Sequence, residues 1–127
     1  LSDSEYPLRV QQCREAVAAV QKTRPDAEVT ALRDVDISLL NSCDGDMSAV
    51  AYQRARHCVR EDARTLGAVR SLAESDFATV GRLMTESHAS LRDDFEVSST
   101  IYISCVHALF IISNLVYYLL GELPRVG

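Results

Sequence analysis

One histidine and a short acidic cluster have the side-chain types that could do chemistry. His88 carries an imidazole, a side chain often used in acid–base chemistry and metal binding, and the carboxylates of Asp93, Asp94 and Glu96 follow it. Neighbouring carboxylates can bind Mg²⁺ or divide acid and base roles between them. However, no second His or Cys lies at a metal-ligand spacing from His88, and Arg92 adjoins the carboxylates. We therefore expect a buried, hydrogen-bonded histidine and carboxylates that are solvated or form structural ion pairs.

The four cysteines indicate no metal or redox motif. They are Cys13, Cys43, Cys58 and Cys105, and no Cys-x-x-Cys pair occurs. Widely scattered cysteines in a chain of this size predict reduced, buried thiols and a cytoplasmic protein.

The composition argues against nucleic-acid binding and against a phosphate cradle. Thirteen basic and eighteen acidic side chains give a net charge of −5, whereas nucleic-acid binding depends on neutralising phosphates. The five glycines are scattered singly, so no glycine-rich loop can cradle a phosphate. Arginines occupy positions 54, 56, 60 and 64, but two acidic residues interrupt the run. We expect this run to form a solvated helix face.

About four amphipathic helices would have to position these residues. The first begins near Pro7, which suits a first helical turn, and ends at Arg24-Pro25, because a residue that precedes proline avoids the helical region. Its predicted apolar stripe consists of Val10, Cys13, Val17 and Val20. A linker over residues 23–28 leads to a short second segment over residues 30–42 and a turn over residues 43–46.

The third and fourth helices carry most of the candidate residues. The third, over residues 47–73, is predicted to be the longest, with Asp46 as its cap. Its predicted core face consists of Ala51, Ala55, Cys58, Val59, Leu66, Val69 and Leu72. Ser75 is the predicted cap of the fourth helix, with Asp76 in its first turn. The inner stripe of that helix is predicted to consist of Phe77, Val80, Leu83, Met84, His88 and Leu91. Helices that each expose one apolar stripe need a partner surface.

Three blocks of sequence form a longer pattern. They are SEYPLR at residues 4–9, RARH at residues 54–57 and GRLMTESHASLRDDFEVS at residues 81–98. In order and separation these blocks resemble galactokinases, the sugar kinases of the GHMP superfamily. The resemblance covers residues 1–98 and implies a mainly α-helical fragment of an α+β GHMP-kinase fold.

The resemblance also implies an activity for the parent enzyme and one site residue. Galactokinases transfer the γ-phosphoryl group of MgATP to the anomeric hydroxyl of galactose, giving galactose 1-phosphate, mainly by positioning and charge stabilisation. Tyr6 matches the tyrosine that touches the galactose ring in this family. A phenol can hydrogen-bond a sugar hydroxyl while its ring packs on an apolar sugar face. Arg9 matches another family position, to which we assign a structural role. The parent is expected to be monomeric.

Several motifs of galactokinases are missing from this chain. The galactose-recognition motif, the serine-rich phosphate loop, the catalytic aspartate and the glycine-rich motif of galactokinases have no counterpart in this sequence. The chain also begins at Leu1 without a Met. We therefore expect a fragment that is inactive alone and binds neither ATP nor Mg²⁺.

Two alternative functions stay open. One is a non-catalytic, galactokinase-like sugar sensor, which would keep Tyr6 but lack part of the catalytic set. The other is a related kinase that acts on N-acetylgalactosamine. The Tyr6-Pro7 pair and residues 90–94 favour the galactose type.

The tail, residues 99–127, does not match the family. No formally charged residue occurs from 97 to 121, and residues 101–120 have about the length of a membrane span. Ser104, His107, Ser113 and Asn114 dilute this stretch, and no Lys or Arg closely precedes it. We expect a foreign terminus from alternative or misread splicing rather than a transmembrane helix.

Overall fold

The computed structural model describes residues 5–96, and this part of the chain is helical. It contains four α-helices, Glu5–Thr23 (α1), Ile37–Ser42 (α2), Ala49–Ala73 (α3) and Phe77–Asp93 (α4), with three short 3₁₀ turns before α3. No strand occurs among the described residues. The predicted helical character is therefore confirmed between residues 5 and 96. The apolar stretch 101–120, Cys105 and the rest of the tail lie outside the described residues.

The described chain divides within α3 into two compact units, residues 5–60 and residues 61–96. The core of the first unit is made of small and medium-sized side chains. It consists of Ala16, Val20, Val29, Val35, Leu40, Cys43, Ala51, Ala55 and Val59. Leu40, Val20 and Cys43 are among the largest side chains that are fully buried. Burial of these apolar groups is the main force that stabilises this unit.

α1 ends where the sequence predicted, but its buried face differs in part. Pro7 lies in its first turn and the helix stops at Thr23, just before Arg24-Pro25. The buried residues of α1 are Arg9, Ala16, Ala19 and Val20. Val10, Cys13 and Val17 from the predicted stripe are only half-buried. The two alanines let the helix approach its neighbours closely, which shifts the buried face toward them.

α3 begins at Ala49 because Ser48, and not the predicted Asp46, caps it. The Ser48 hydroxyl oxygen accepts the backbone N–H of Ala51 at 3.1 Å. The backbone N–H of Ser48 donates to a carboxylate oxygen of Glu15 at 3.0 Å, which ties this end of α3 to α1. Asp46 instead ends a 3₁₀ turn, Asp44–Asp46. The cap therefore lies two residues after the predicted one.

The cap of α4 is Asp76, and the predicted Ser75 cap is wrong. One Asp76 carboxylate oxygen accepts the backbone N–H of Thr79 at 3.1 Å, and the other accepts the Thr79 hydroxyl at 2.5 Å. Ser75 has a φ of 59°, a left-handed conformation that reverses the chain between α3 and α4. A negative charge at Asp76 also suits the positive end of the helix dipole.

The predicted inner stripe of α4 is wrong at two large apolar residues. Phe77 is 68% exposed and Met84 is 37% exposed, and Leu66 from the predicted core face of α3 is 41% exposed. The buried side chains of α4 are instead Ser87 and Ser90. The hydrophobic pattern therefore predicted this helix but not which of its residues are buried.

None of the helices between residues 5 and 96 is long and apolar enough to cross a membrane.

Candidate functional site

Tyr6 lies in the first turn of α1 and its side chain is open to solvent. The residue is 65% exposed, and Leu8 beside it is 45% exposed. Arg9, one turn after Tyr6, is only 6% exposed, as a structural role requires. The phenol is therefore accessible to a ligand, while the arginine of the same block belongs to the interior.

The second sequence block, residues 54–57, contacts α1 just after the first block. Arg54 of the second block is 3% exposed, and its Nε donates to the side-chain oxygen of Gln12 at 3.1 Å. His57 is 6% exposed. The Sγ atoms of Cys13 and Cys58 approach to 3.9 Å. These contacts join α1, which carries Tyr6, to the first half of α3.

The predicted solvated arginine face is wrong at two of its four positions. Arg54 is buried, and the side chain of Arg64 is only 12% exposed. Arg64 donates to a Glu61 carboxylate oxygen at 3.0 Å, so its charge is balanced locally. Buried charges of this kind persist only when paired and hydrogen-bonded. Arg60 is exposed, as predicted, and Arg56 is half-buried with its guanidinium 5.7 Å from the Tyr52 ring.

The third block, as far as Glu96, forms α4 and the turn after it. The Ser87 hydroxyl donates to Glu61 of α3, which also accepts from Arg64. The buried Ser90 hydroxyl donates to Asp94 at 2.9 Å. The polar groups of this block therefore hold α4 and the residues that follow it in place.

The acidic cluster does not fit a magnesium site. Asp93 pairs with Arg92 at 2.7 Å, and this hydrogen bond lowers the pKa of the Asp93 carboxyl. Asp94 is buried against Ser90. Between residues 5 and 96 no group of three or more His, Cys, Asp or Glu side chains could hold a metal ion. The predicted ion-pair role is confirmed for Asp93, whereas His88 is half-buried rather than buried.

The three described glycines do not form a phosphate-binding loop. Gly67 and Gly81 lie inside helices, and Gly45 lies in an isolated 3₁₀ turn. A cavity lined by Ala68, Leu83 and other residues of α3 and α4 has a volume of about 10 Å³. That is room for about one water molecule, whereas ligand pockets reach several hundred Å³. This cavity is therefore too small to hold MgATP.

Comparison with known proteins agrees with the sequence blocks. No protein-family model matches the chain. Over 98 residues, 77% of its length, the chain is 46% identical to the galactokinase of Bos taurus. The matched region spans 23% of that galactokinase. Over most of its length, this chain is therefore a galactokinase-like segment.

Proposed function

We propose that residues 1–98 are part of a galactokinase that phosphorylates galactose at its anomeric hydroxyl with MgATP. The observation that carries the proposal is the 46% identity over 98 residues to a galactokinase. The exposed position of Tyr6 at the start of α1 supports it, because a sugar-contacting residue must be accessible. Residues 99–127 would form a separate tail that is foreign to the enzyme.

In this proposal Tyr6 contributes binding of the sugar. Its hydroxyl would hydrogen-bond a galactose hydroxyl, and its ring would pack against the apolar face of the sugar. Leu8 adds a second exposed apolar side chain next to it. The bond between Arg54 and Gln12 and the burial of Arg9 would hold α1 in position. The segment would therefore position galactose and take no direct part in phosphoryl transfer.

Nucleotide binding and phosphoryl transfer would depend on other parts of the enzyme. The matched region is 23% of a galactokinase, and the sequence contains no glycine-rich phosphate loop. We assign no step of the transfer to residues of this chain. The parent enzyme would be cytoplasmic and monomeric, and the absence of a disulfide at Cys13, Cys43 and Cys58 is consistent with a reducing compartment.

A chimera tests the proposal directly. The matched segment of this chain replaces its counterpart in the Bos taurus galactokinase, and galactose-dependent ADP formation is measured. We expect turnover within about tenfold of the unmodified enzyme, because the substituted segment would present Tyr6 in the same place. A matched control carries the same segment with the order of residues 81–96 scrambled, which should remove the contacts of Ser87 and Ser90 and abolish activity.

The sugar that the chimera prefers distinguishes a galactokinase from the alternative kinase that acts on N-acetylgalactosamine. A folded chimera that prefers N-acetylgalactosamine over galactose would favour that alternative and contradict the proposal. A chimera that is folded by circular dichroism but inactive on both sugars would also contradict it. The sugar-sensor alternative predicts that the full coding sequence keeps Tyr6 but lacks the catalytic aspartate.

A further inference from the structure

Two cysteines that are far apart in sequence face each other in the first unit. Cys13 lies on α1 and Cys58 on α3, and their Sγ atoms are 3.9 Å apart across a separation of 45 residues. Both residues are half-buried, so neither is sealed in the core. Cys43, the third described cysteine, is fully buried and 0% exposed. Cys13 and Cys58 therefore form a close pair of partly buried thiols, whereas Cys43 is fully buried.

The surroundings of Cys13 favour its thiolate form. A hydrogen bond with Cys58 lowers the pKa of the Cys13 thiol, and the positive charges of Arg54 and Arg9 lower it further, against the opposing effect of burial. Both arginines are almost fully buried, so solvent screens their charges only weakly. The thiolate is the nucleophilic form of cysteine and the form that peroxides oxidise.

We propose that Cys13 and Cys58 form an oxidation site, at which a peroxide converts the two thiols into a disulfide that links α1 to α3. The Cys13 thiolate attacks one peroxide oxygen, the O–O bond breaks, hydroxide leaves and Cys13 becomes a sulfenic acid. The Cys58 sulfur then attacks the Cys13 sulfur, the S–O bond breaks and the S–S bond forms. The departing hydroxide takes the Cys58 proton and leaves as water. Two electrons pass in total from the thiols to the peroxide.

The geometry suits a cross-link that forms only on oxidation. A disulfide bond is about 2.05 Å long, so the sulfurs must approach each other by roughly 2 Å. Rotation of a cysteine side chain about its Cα–Cβ bond between staggered rotamers moves its sulfur by a distance of this order. Since α1 carries Tyr6, the disulfide would restrain the helix that carries the proposed sugar contact. This inference rests on the thiol geometry and stands whether or not the galactokinase proposal holds.

Peptide mapping of the oxidised chain tests the proposal. The complete 127-residue chain is reduced, treated with hydrogen peroxide, blocked with N-ethylmaleimide and digested with trypsin without reduction. We expect one dominant cross-linked product, in which residues 10–14 are joined to residues 57–60, and its loss after dithiothreitol. Individually blocked or over-oxidised peptides without this product would overturn the proposal. A mixture of pairings with Cys43 and Cys105 would also overturn it.

Oxidation of the denatured chain tests whether the folded structure causes the pairing of Cys13 with Cys58. When the same oxidation is done in urea, the cross-link between Cys13 and Cys58 should no longer dominate, because all four cysteines can then meet. An unchanged preference in urea would mean that the folded arrangement is not responsible, and would contradict the proposal.

Variants identify the order of the steps and provide a matched control. In Cys58→Ser, dimedone should trap a sulfenic acid on residues 10–14, because the resolving thiol is missing. Cys43→Ser removes a thiol outside the pair, so the cross-link should form as in the unmodified chain. Loss of the cross-link in a folded Cys43→Ser variant, or no dimedone adduct in Cys58→Ser, would contradict the mechanism. The wild-type mapping decides the proposal even if a variant fails to fold.

Discussion

At the residue scale, polar contacts over long sequence separations decide what the side chains do. Arg54 looked like part of a solvated face, yet it is buried and bonded to Gln12, 42 residues earlier. Ser87, which no sequence pattern singled out, is buried and donates to Glu61. A sequence signal existed for Arg54, because it lies one turn from both Ala51 and Cys58 of the predicted core face. No local signal identified Glu61 as the partner of Ser87.

Tyr6→Phe tests the sugar contact without changing the ring. A neutral hydrogen bond contributes about 0.5–1.5 kcal/mol, so we expect kcat/KM for galactose in the chimera to fall about twofold to tenfold. The KM for ATP should not change. Tyr52→Phe is the matched control, because it removes a hydroxyl that bonds Asn41 at 2.8 Å, and it should leave the galactose parameters unchanged. Equal effects of the two substitutions would contradict a specific role of Tyr6.

The capping carboxylate of α4 should make the stability of the chain depend on pH. Hydrogen bonds from the Thr79 hydroxyl and backbone N–H lower the pKa of Asp76 in the folded chain. A lowered folded pKa contributes stability above the unfolded value of about 3.9, and this is lost as the pH falls through the folded value. Asp76→Asn keeps an acceptor at the cap but cannot titrate. Between pH 5 and pH 2 (roughly the titration range), the free energy of unfolding should therefore fall less in this variant than in the unmodified chain. Urea unfolding across this pH range measures the effect. The same dependence of the unfolding free energy on pH in both proteins would contradict it.

At the element scale, the sequence predicted the helices better than their ends and faces. The end of α1 before Pro25 and the end of α3 at Ala73 were predictable, because proline and loss of periodicity are local signals. Both predicted caps were wrong by one or two residues, since several neighbouring Ser and Asp residues could each cap a helix. Phe77 and Met84 were assigned to a core because periodicity identifies an apolar face without showing what covers it.

Two glycines inside helices allow a matched test of the packing within residues 61–96. A Cβ atom at Gly81 would meet nothing within 4 Å apart from its chain neighbours and the adjacent backbone of its own helix, whereas one at Gly67 would lie 3.2 Å from Cδ1 of Leu83. Alanine is favoured over glycine by about 1 kcal/mol inside a helix, so Gly81→Ala should raise the free energy of unfolding by about 0.5–1 kcal/mol. Gly67→Ala should raise the free energy of unfolding by less, because the Leu83 side chain must move to make room. Urea unfolding compares them, and a larger gain at Gly67 would contradict this packing of α3 and α4.

At the scale of the whole molecule, the described chain leaves several large apolar residues in solvent. They are Tyr6, Leu8, Val50, Leu66, Phe77 and Met84, each between 37% and 68% exposed. Because the matched region is 23% of a galactokinase, the rest of such an enzyme could cover these side chains. The sequence blocks were enough to predict the galactokinase likeness. The proximity of Cys13 and Cys58 could not be predicted, because it depends on how two helices pack.

The decisive measurement is galactose-dependent ADP formation by the purified chain supplied with MgATP and galactose. The chain should form no more ADP with galactose than without it, because its sequence contains no glycine-rich loop to cradle a phosphate. The chimera should turn over in the same assay. Clear galactose-dependent turnover by the chain alone would contradict the claim that this segment supplies the sugar contact and leaves phosphoryl transfer to the rest of the enzyme.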